Sequence, residues 1–372
     1  VINLKNLNIS PGWFDSGVSF GEPGYEERET ISNGLEVAAK SGFTKILLSP
    51  NTNPLTDNHS NVSHLIKKSQ NKTTSLYPIG CLSVNSEGQQ MSQLYDMKEA
   101  GAVAFGDFKK PIENANFLKI ALEYSQSINA LIISYPSNDK IDNYGIINEG
   151  VVSAKTGMKG MPYISESIQI SRDIQILEYT GGKLHIPFIS SRRSVDLIRA
   201  AKKNKLDITC SVGLPHLFFS EDNVKDFDSN FKIFPPLRSR DDRIALKEGL
   251  LEGVIDMISS MHEPVNNEKK QLEFDLALPG TIGLEACFGI LMNLFPLDKV
   301  LDFLISGAKR FNIKTSAIEP GSNADITLFD PEGHSILKFD NIFSTSKNCA
   351  FINQELMGKV YGSFNNGMLT LV

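Results

Sequence analysis

Proton transfer or metal chemistry needs imidazoles and carboxylates gathered at one point, and this 372-residue chain has only six histidines, widely spaced. Asp107 in "AFGDFKKP" and His262 in "MHEPV" are the two candidates for metal-independent acid–base work, since each follows a strand-like run. Each also has a plainer reading. His262 is expected to be satisfied by main chain, and Asp107 to bond nearby amides or pair with Lys109 or Lys110. Asn51 in "PNTNP" carries an amide suited to holding a carboxylate, or to bonding its own turn.

The remaining groups suggest less. His185 and His216 fall in apolar stretches read as strands; His59, His64 and His334 fall in surface loops or helices and receive no role. No histidine pair has HxH, HxxxH or HxxE spacing on an expected element. "HSNVSH" overshoots a helical i,i+4 clamp by one residue, so no metal site is predicted. Cys210 and Ser211 end an apolar run without the adjacent histidine or glycine elbow that a nucleophile needs. A glycine-rich phosphate loop is absent from the sequence.

The elements that would position these groups alternate regularly. Eight short apolar runs are expected to be strands: 13–20, 44–49, 76–84, 102–105, 130–134, 183–189, 207–212 and 254–260. Helix-like segments separate them. In "ERETISNGLEVAAKSGF", Ile31, Leu35, Ala38 and Ala39 share a face and Gly42 is placed to end the helix. "SRRSVDLIRAAKKNK" reads the same way, with its cations gathered at the end. Eight strand-plus-helix units predict a (β/α)8 barrel over 11–316, with a doubly wound open sheet as the structural alternative. From about Ile318 the pattern becomes short alternating strands with PG, EG and NNG turns. Residues 317–372, together with 1–10, are expected to form a small β subdomain.

Composition narrows the class. The formal charge of −6 comes with no basic cluster, which argues against nucleic acid and anionic membrane as partners. No apolar run reaches bilayer length, and "VINLKNLNIS" is not a signal peptide. Cys81, Cys210, Cys287 and Cys349 are far apart, which fits reduced thiols in a cytoplasm. The chain starts at Val1 rather than Met, so an upstream segment is expected.

Several stretches converge on one family. "PGWFDSGVSFGEPGYEERETI", "LLSPNTNPLTD", "GAVAF", "NEGVVSAKTGMKGMP", "PPLRSRDDRIALKEGLLEGVID", "ALPGTIGLEA", "NADITLFDP" and "GKVYGSF" resemble, in order, landmarks of the dihydroorotases. These belong to the amidohydrolase superfamily. The resemblance implies a TIM barrel, a β subdomain completed by strands upstream, and a binuclear zinc centre that hydrolyses a cyclic amide in pyrimidine biosynthesis.

The residues at the implied site depart from that pattern. The family's first strand reads Asp-x-His-x-His-x-Arg-Glu-Pro-Gly; here Gly17 and Ser19 replace both histidines and Gly21 replaces the substrate-binding arginine. An Asp-Asp-Gly motif after the fourth strand is reduced to Asp107, followed by Phe108 and Lys109. The fifth strand offers Tyr135, or Pro136 with a shifted gap, where a histidine belongs. In the sixth, Phe188 stands at the second position of His-x-x-His. In the eighth, Met261 replaces the aspartate that would serve as ligand and base, and Val265 the substrate-holding histidine. At most one of six ligand positions survives, and Asn51 alone matches among the substrate-holding groups.

The expectation is therefore a protein without zinc or other cofactor, its barrel mouth apolar around Phe108, Phe188 and Met261. By resemblance it would pair as a homodimer and act as a non-catalytic structural or regulatory partner, for instance of aspartate carbamoyltransferase. The alternative is an active dihydroorotase, or a related cyclic-amide hydrolase, using a non-standard site.

Overall fold

Successive strands of this chain lie side by side in sequence order, which is the arrangement of a closed barrel rather than of an open sheet with a switch point. The computed structural model describes residues 2–142 and 144–372. Its strands begin with Asn8–Pro11 (β1), Trp13–Val18 (β2), Phe43–Leu48 (β3), Ser75–Gly80 (β4), Ala104–Phe105 (β5) and Ile132–Ile133 (β6). Ile147–Asn148 (β7), Gly160–Met161 (β8), Leu184–Ile186 (β9), Ile208–Gly213 (β10) and Met257–Ser259 (β11) follow. Ile326–Ile336 (β12), Glu355–Asn365 (β13) and Met368–Leu371 (β14) complete the set.

The barrel sheet runs β2-β3-β4-β5-β6-β9-β10-β11, all parallel, so each of the eight expected runs supplies one strand. β2 and β3 are buried at every position, because helices cover one face and the barrel interior the other. The four-stranded antiparallel sheet β1-β12-β13-β14 lies against the barrel. Trp13 fastens the two: its indole stacks on Phe288 at 4.8 Å, tilts against Phe329 at 5.8 Å and donates to Ser10 Oγ at 2.9 Å.

The helices start and stop as their sequences direct. Thr30 Oγ1 caps the helix Ile31–Lys40 by accepting from Asn33 N, and Gly42 beyond it takes a φ of +90°. Ser191 caps Arg192–Lys203, whose last turn holds Lys202 and Lys203 near the negative end of the helix dipole.

Three features differ from the sequence reading. His216 lies in a short helix, Leu214–Phe218, not in a strand. Pro215 opens that helix, and a continuous apolar run does not distinguish a buried helix from a strand. His334 sits in β12 rather than in a loop or helix. The parallel pair β7–β8, with the helix Val151–Thr156 between, forms an excursion after β6 that no strong periodicity announces.

Lys45 points from β3 toward the small sheet, where its ammonium pairs with Asp325, both almost fully buried. Removing one partner of a buried pair leaves the other charged and dry. Lys45→Met should therefore cost about 3–5 kcal/mol in urea unfolding, and Lys45→Met/Asp325→Leu should recover much of it. Additive losses in that cycle would count against the pair.

Candidate active site

Asp15 closes the barrel at its seam. Its carboxylate accepts from Gly17 N at 3.0 Å, from Ser259 Oγ at 3.1 Å and from Ser260 N at 3.0 Å, joining β2 to the end of β11. Burial pushes this carboxyl up from its ordinary value, while the bonds from Ser260, Gly17 and Ser259 pull it back. The residue is thus committed to architecture. Glu22 is committed similarly, accepting from Ile31 N at 2.8 Å and pairing with Lys68.

Beyond the seam the strand ends converge on apolar side chains. Tyr135, Phe188 and Met261 pack together, with Phe108 against them. Two small cavities remain. One of about 30 Å³ is bounded by Gly17, Asp107, Phe108, Tyr135, His185 and Phe188. The other, about 10 Å³, lies among Gly17, Ser19, Phe188, Met261 and His262. Such spaces take a water or two, far below the roughly 300 Å³ at which ligand pockets begin.

Gly17 belongs to this packing. A Cβ there would stand 2.6 Å from Phe188 Cζ, so the ring occupies the volume that a side chain at 17 would need. Gly21 is closed off in a different way, since a Cβ there would fall 1.7 Å from the Tyr25 carbonyl oxygen. Val265 takes no part in the cluster. It packs toward Gly280 and donates its N–H to Asn348 Oδ1 at 3.0 Å.

The polar survivors are mostly occupied. Asp107 accepts from Ser83 N at 3.1 Å and from the Ser83 hydroxyl, and burial holds its carboxyl above the usual range. Of the two expected arrangements it is the amide bond, from Ser83 N, that is made; Lys109 reaches Glu263 across the mouth instead, and Lys110 donates to the Ser86 carbonyl. Asn51 bonds not its own turn but Ser19, its Nδ2 donating to Ser19 Oγ at 2.8 Å. His185 meets Thr209 Oγ1 through Nδ1 at 3.0 Å, and His216 meets the Pro235 carbonyl through Nε2 at 2.9 Å.

His262 corrects the expectation most sharply. Its backbone is bonded, the carbonyl accepting from Ser19 N at 2.8 Å, but neither ring nitrogen has a partner among the described residues. The ring is buried edge-on to Phe20, and burial pulls its pKa down to about 3. A base that weak holds no proton at neutral pH and takes one reluctantly, far from the value near 7 that efficient general catalysis requires.

The two zinc ions implied by the resemblance do not fit this donor set. Zinc needs three or four imidazole, thiolate or carboxylate ligands around one point. Among the described residues no three His, Cys, Asp or Glu side chains gather that way. The four thiols are free, buried and distributed through the core.

Three strand-end residues keep an unusual backbone. Lys109, Phe188 and Met261 have φ values of +51°, +53° and +52°, a region that costs a side-chain-bearing residue about 1–2 kcal/mol. Sequence reading missed this strain, the Ser83–Asp107 bond, the Lys109–Glu263 pair and the seam through Ser259 and Ser260. None leaves a local signal, because the partners lie 24 to 245 residues apart.

Comparison with known proteins agrees with the geometry of the barrel. The Dihydro-orotase-like family profile matches residues 7–194. A dihydroorotase of Pelotomaculum thermopropionicum is 35% identical over 378 residues, covering all of this chain and 88% of the relative. One of Syntrophus aciditrophicus is 36% identical, covering 99% and 88%. Among solved structures, the L-hydantoinase of Arthrobacter aurescens superposes with a TM-score of 0.86 at 22% identity, over 97% of this chain and 84% of that one. The dihydropyrimidinase of Brevibacillus agri gives 0.83 at 18%, over 98% and 85%. These two share the fold, and with the profile and the full-length relatives the chain belongs to the dihydro-orotase-like family of amidohydrolase barrels.

Proposed function

We propose that this chain is a dihydroorotase-family protein of pyrimidine metabolism that no longer carries out the hydrolysis named for its relatives, and that it acts by association, with aspartate carbamoyltransferase as its partner. The observation that carries this reading is the mouth of the barrel. Phe108, Tyr135, Phe188 and Met261 fill the place where metal ligands, base and substrate would have to meet. Hydrolysing a ring amide calls for an activated water, and a metal lowers water's pKa from about 15.7 to near 7. Asp107 is bonded to Ser83, and His262 is too weak a base to substitute.

A second reading is an active cyclic-amide hydrolase with a non-standard site, favoured by identity of about one third with dihydroorotases along the whole chain. One experiment separates them. Protein from zinc-supplemented growth, purified without chelator, is expected to hold well under one zinc per chain and to give no dihydroorotate hydrolysis above buffer. Two zincs per chain, or turnover, would overturn the first reading. Co-elution with the aspartate carbamoyltransferase of the same organism tests the partner, and its absence would remove that part alone.

A further inference from the structure

The loops that follow β10 and β11 are stitched into one platform beside the barrel mouth. Ser229 Oγ donates to the Lys270 carbonyl at 2.7 Å, Gly280 N to the Lys232 carbonyl at 2.9 Å, and Lys232 Nζ to the Asp275 carbonyl at 2.9 Å. Lys270 is buried within the platform, its Nζ donating to the carbonyls of Lys232, Leu278 and Gly280 at 3.1, 3.1 and 2.8 Å. Three N–H donors meet three acceptors, so this ammonium is spent on holding the two loops together.

What the stitching leaves outside is apolar and acidic. Phe227, Leu272, Leu276 and Leu278 are 50%, 41%, 63% and 37% exposed, while Phe274 and Ala277 beside them are buried. Asp226, Asp228, Glu268, Glu273 and Asp275 are exposed on the same two loops, against Lys225 and Lys269. The ion pairs nearby are made by other residues, Lys109 with Glu263 and Arg240 with Asp222. Among the described residues, none of the five carboxylates pairs with a cation; Asp228 accepts only from Asn230 N, at 2.9 Å.

We infer that this platform is the docking surface for a segment of another protein that carries lysine or arginine beside large apolar side chains. That such a partner exists rests on the reading of the chain as one that acts by association; where it sits and what it carries do not. Charge chooses the occupant. The carboxylates outnumber the lysines even when Lys232 and Lys270 are counted, and an incoming cation can reach the carboxylates because they are at the surface. A second copy would set one acidic rim against another, and nucleic acid or an anionic membrane would meet like charge. The exposed leucines and Phe227 supply the apolar centre that excludes water from the ion pairs around it, which is what raises their worth above that of a solvated rim pair.

Fluorescence anisotropy on the full chain, with a labelled helical Lys/Leu peptide whose leucines share one face, tests this. The peptide should bind one to one, and more weakly as salt rises from ~0.1 M to ~0.5 M. The same peptide with Glu in place of Lys, or Ser in place of Leu, should bind at least ~10-fold more weakly, since each lacks half of the match. On the protein, Leu272→Ser/Leu276→Ser and Glu273→Lys/Asp275→Lys should each weaken binding by at least ~10-fold while keeping the wild-type circular dichroism melt. Tyr179→Ser, at an exposed aromatic on the helix Tyr163–Thr180, should bind as the wild type does. Amide hydrogen exchange should place the peptide's protection on residues 225–232 and 267–278. No binding, equal binding of the Glu/Leu peptide, double variants that bind as the wild type does, or protection elsewhere would each overturn the assignment. Zinc content and dihydroorotate turnover test the association reading by themselves, so its failure and the platform's failure show in different measurements.

Discussion

Gly17→His, the change that would place an imidazole on β2, is expected to destabilise the fold by about 2–3 kcal/mol and to bring no zinc with it. The reason is steric. A Cβ at 17 falls 2.6 Å from Phe188 Cζ and 2.9 Å from Cε1. The ring cannot swing aside cheaply, because Tyr135 and Met261 pack around it. Phe188→Ala alone should cost more, about 3–5 kcal/mol, by opening a cavity among the same side chains. Combined as Gly17→Ala/Phe188→Ala, the two should cost clearly less than their sum, since the new methyl occupies vacated space. A coupling of about 0.5–3 kcal/mol in urea unfolding is the expected reading. Strict additivity would show that residue 17 and the ring do not compete for one volume.

That competition describes how the mouth is filled. Glycine at 17 facing phenylalanine at 188 makes a packed plug, so a larger residue at 17 meets a clash and a smaller one at 188 leaves a hole. The left-handed backbone at Lys109, Phe188 and Met261 points the same way. Residues of this size do not favour such a conformation, and chemistry is the usual reason for tolerating it. Here the conformation is found at strand ends whose side chains close the mouth. Phe188 and Met261 turn into the apolar cluster, and Lys109 reaches Glu263 across it.

The parts of this molecule that were legible in its sequence are those written in local pattern. The eight barrel strands are apolar runs bounded by helix signals, and Gly42 marks a helix end by its backbone preference. The apolar character of the mouth was legible too, because Phe188 and Met261 are apolar whatever their surroundings. Contacts were not. That Asn51 would bond Ser19, or that Lys109 would choose Glu263 over Asp107, depends on distances set by barrel closure. His216 failed for another reason: a buried five-residue helix has the same hydropathy as a strand.

His262 supplies the second large expectation, and its sign runs against the intuition that a retained motif histidine should matter. Its buried ring has two unbonded nitrogens, and an unsatisfied buried polar group costs about 1–3 kcal/mol. His262→Leu should therefore raise stability at pH 7, by about 1–2 kcal/mol. Acid should widen the difference. Burial holds the ring near pKa 3 in the folded chain, against about 6.5 unfolded, so its contribution is complete above pH 6.5 and is lost as pH falls below it. The loss runs at about 1.4 kcal/mol per pH unit, or about 2 kcal/mol by pH 5. His185, also held near 3, and His216, near 4, add losses of the same sign. Buried carboxyls such as Asp15, Asp107 and Asp173, all pushed upward, act oppositely and return stability as pH falls through their folded values. Comparing wild type with His262→Leu cancels those shared contributions. Urea unfolding at pH 7 and pH 5 should show the variant ahead at both, with the gap larger by about 2 kcal/mol at pH 5. A variant less stable at pH 7, or a gap that does not grow with acid, would mean that the imidazole is bonded or charged in the folded protein, and the mouth would again hold a working base.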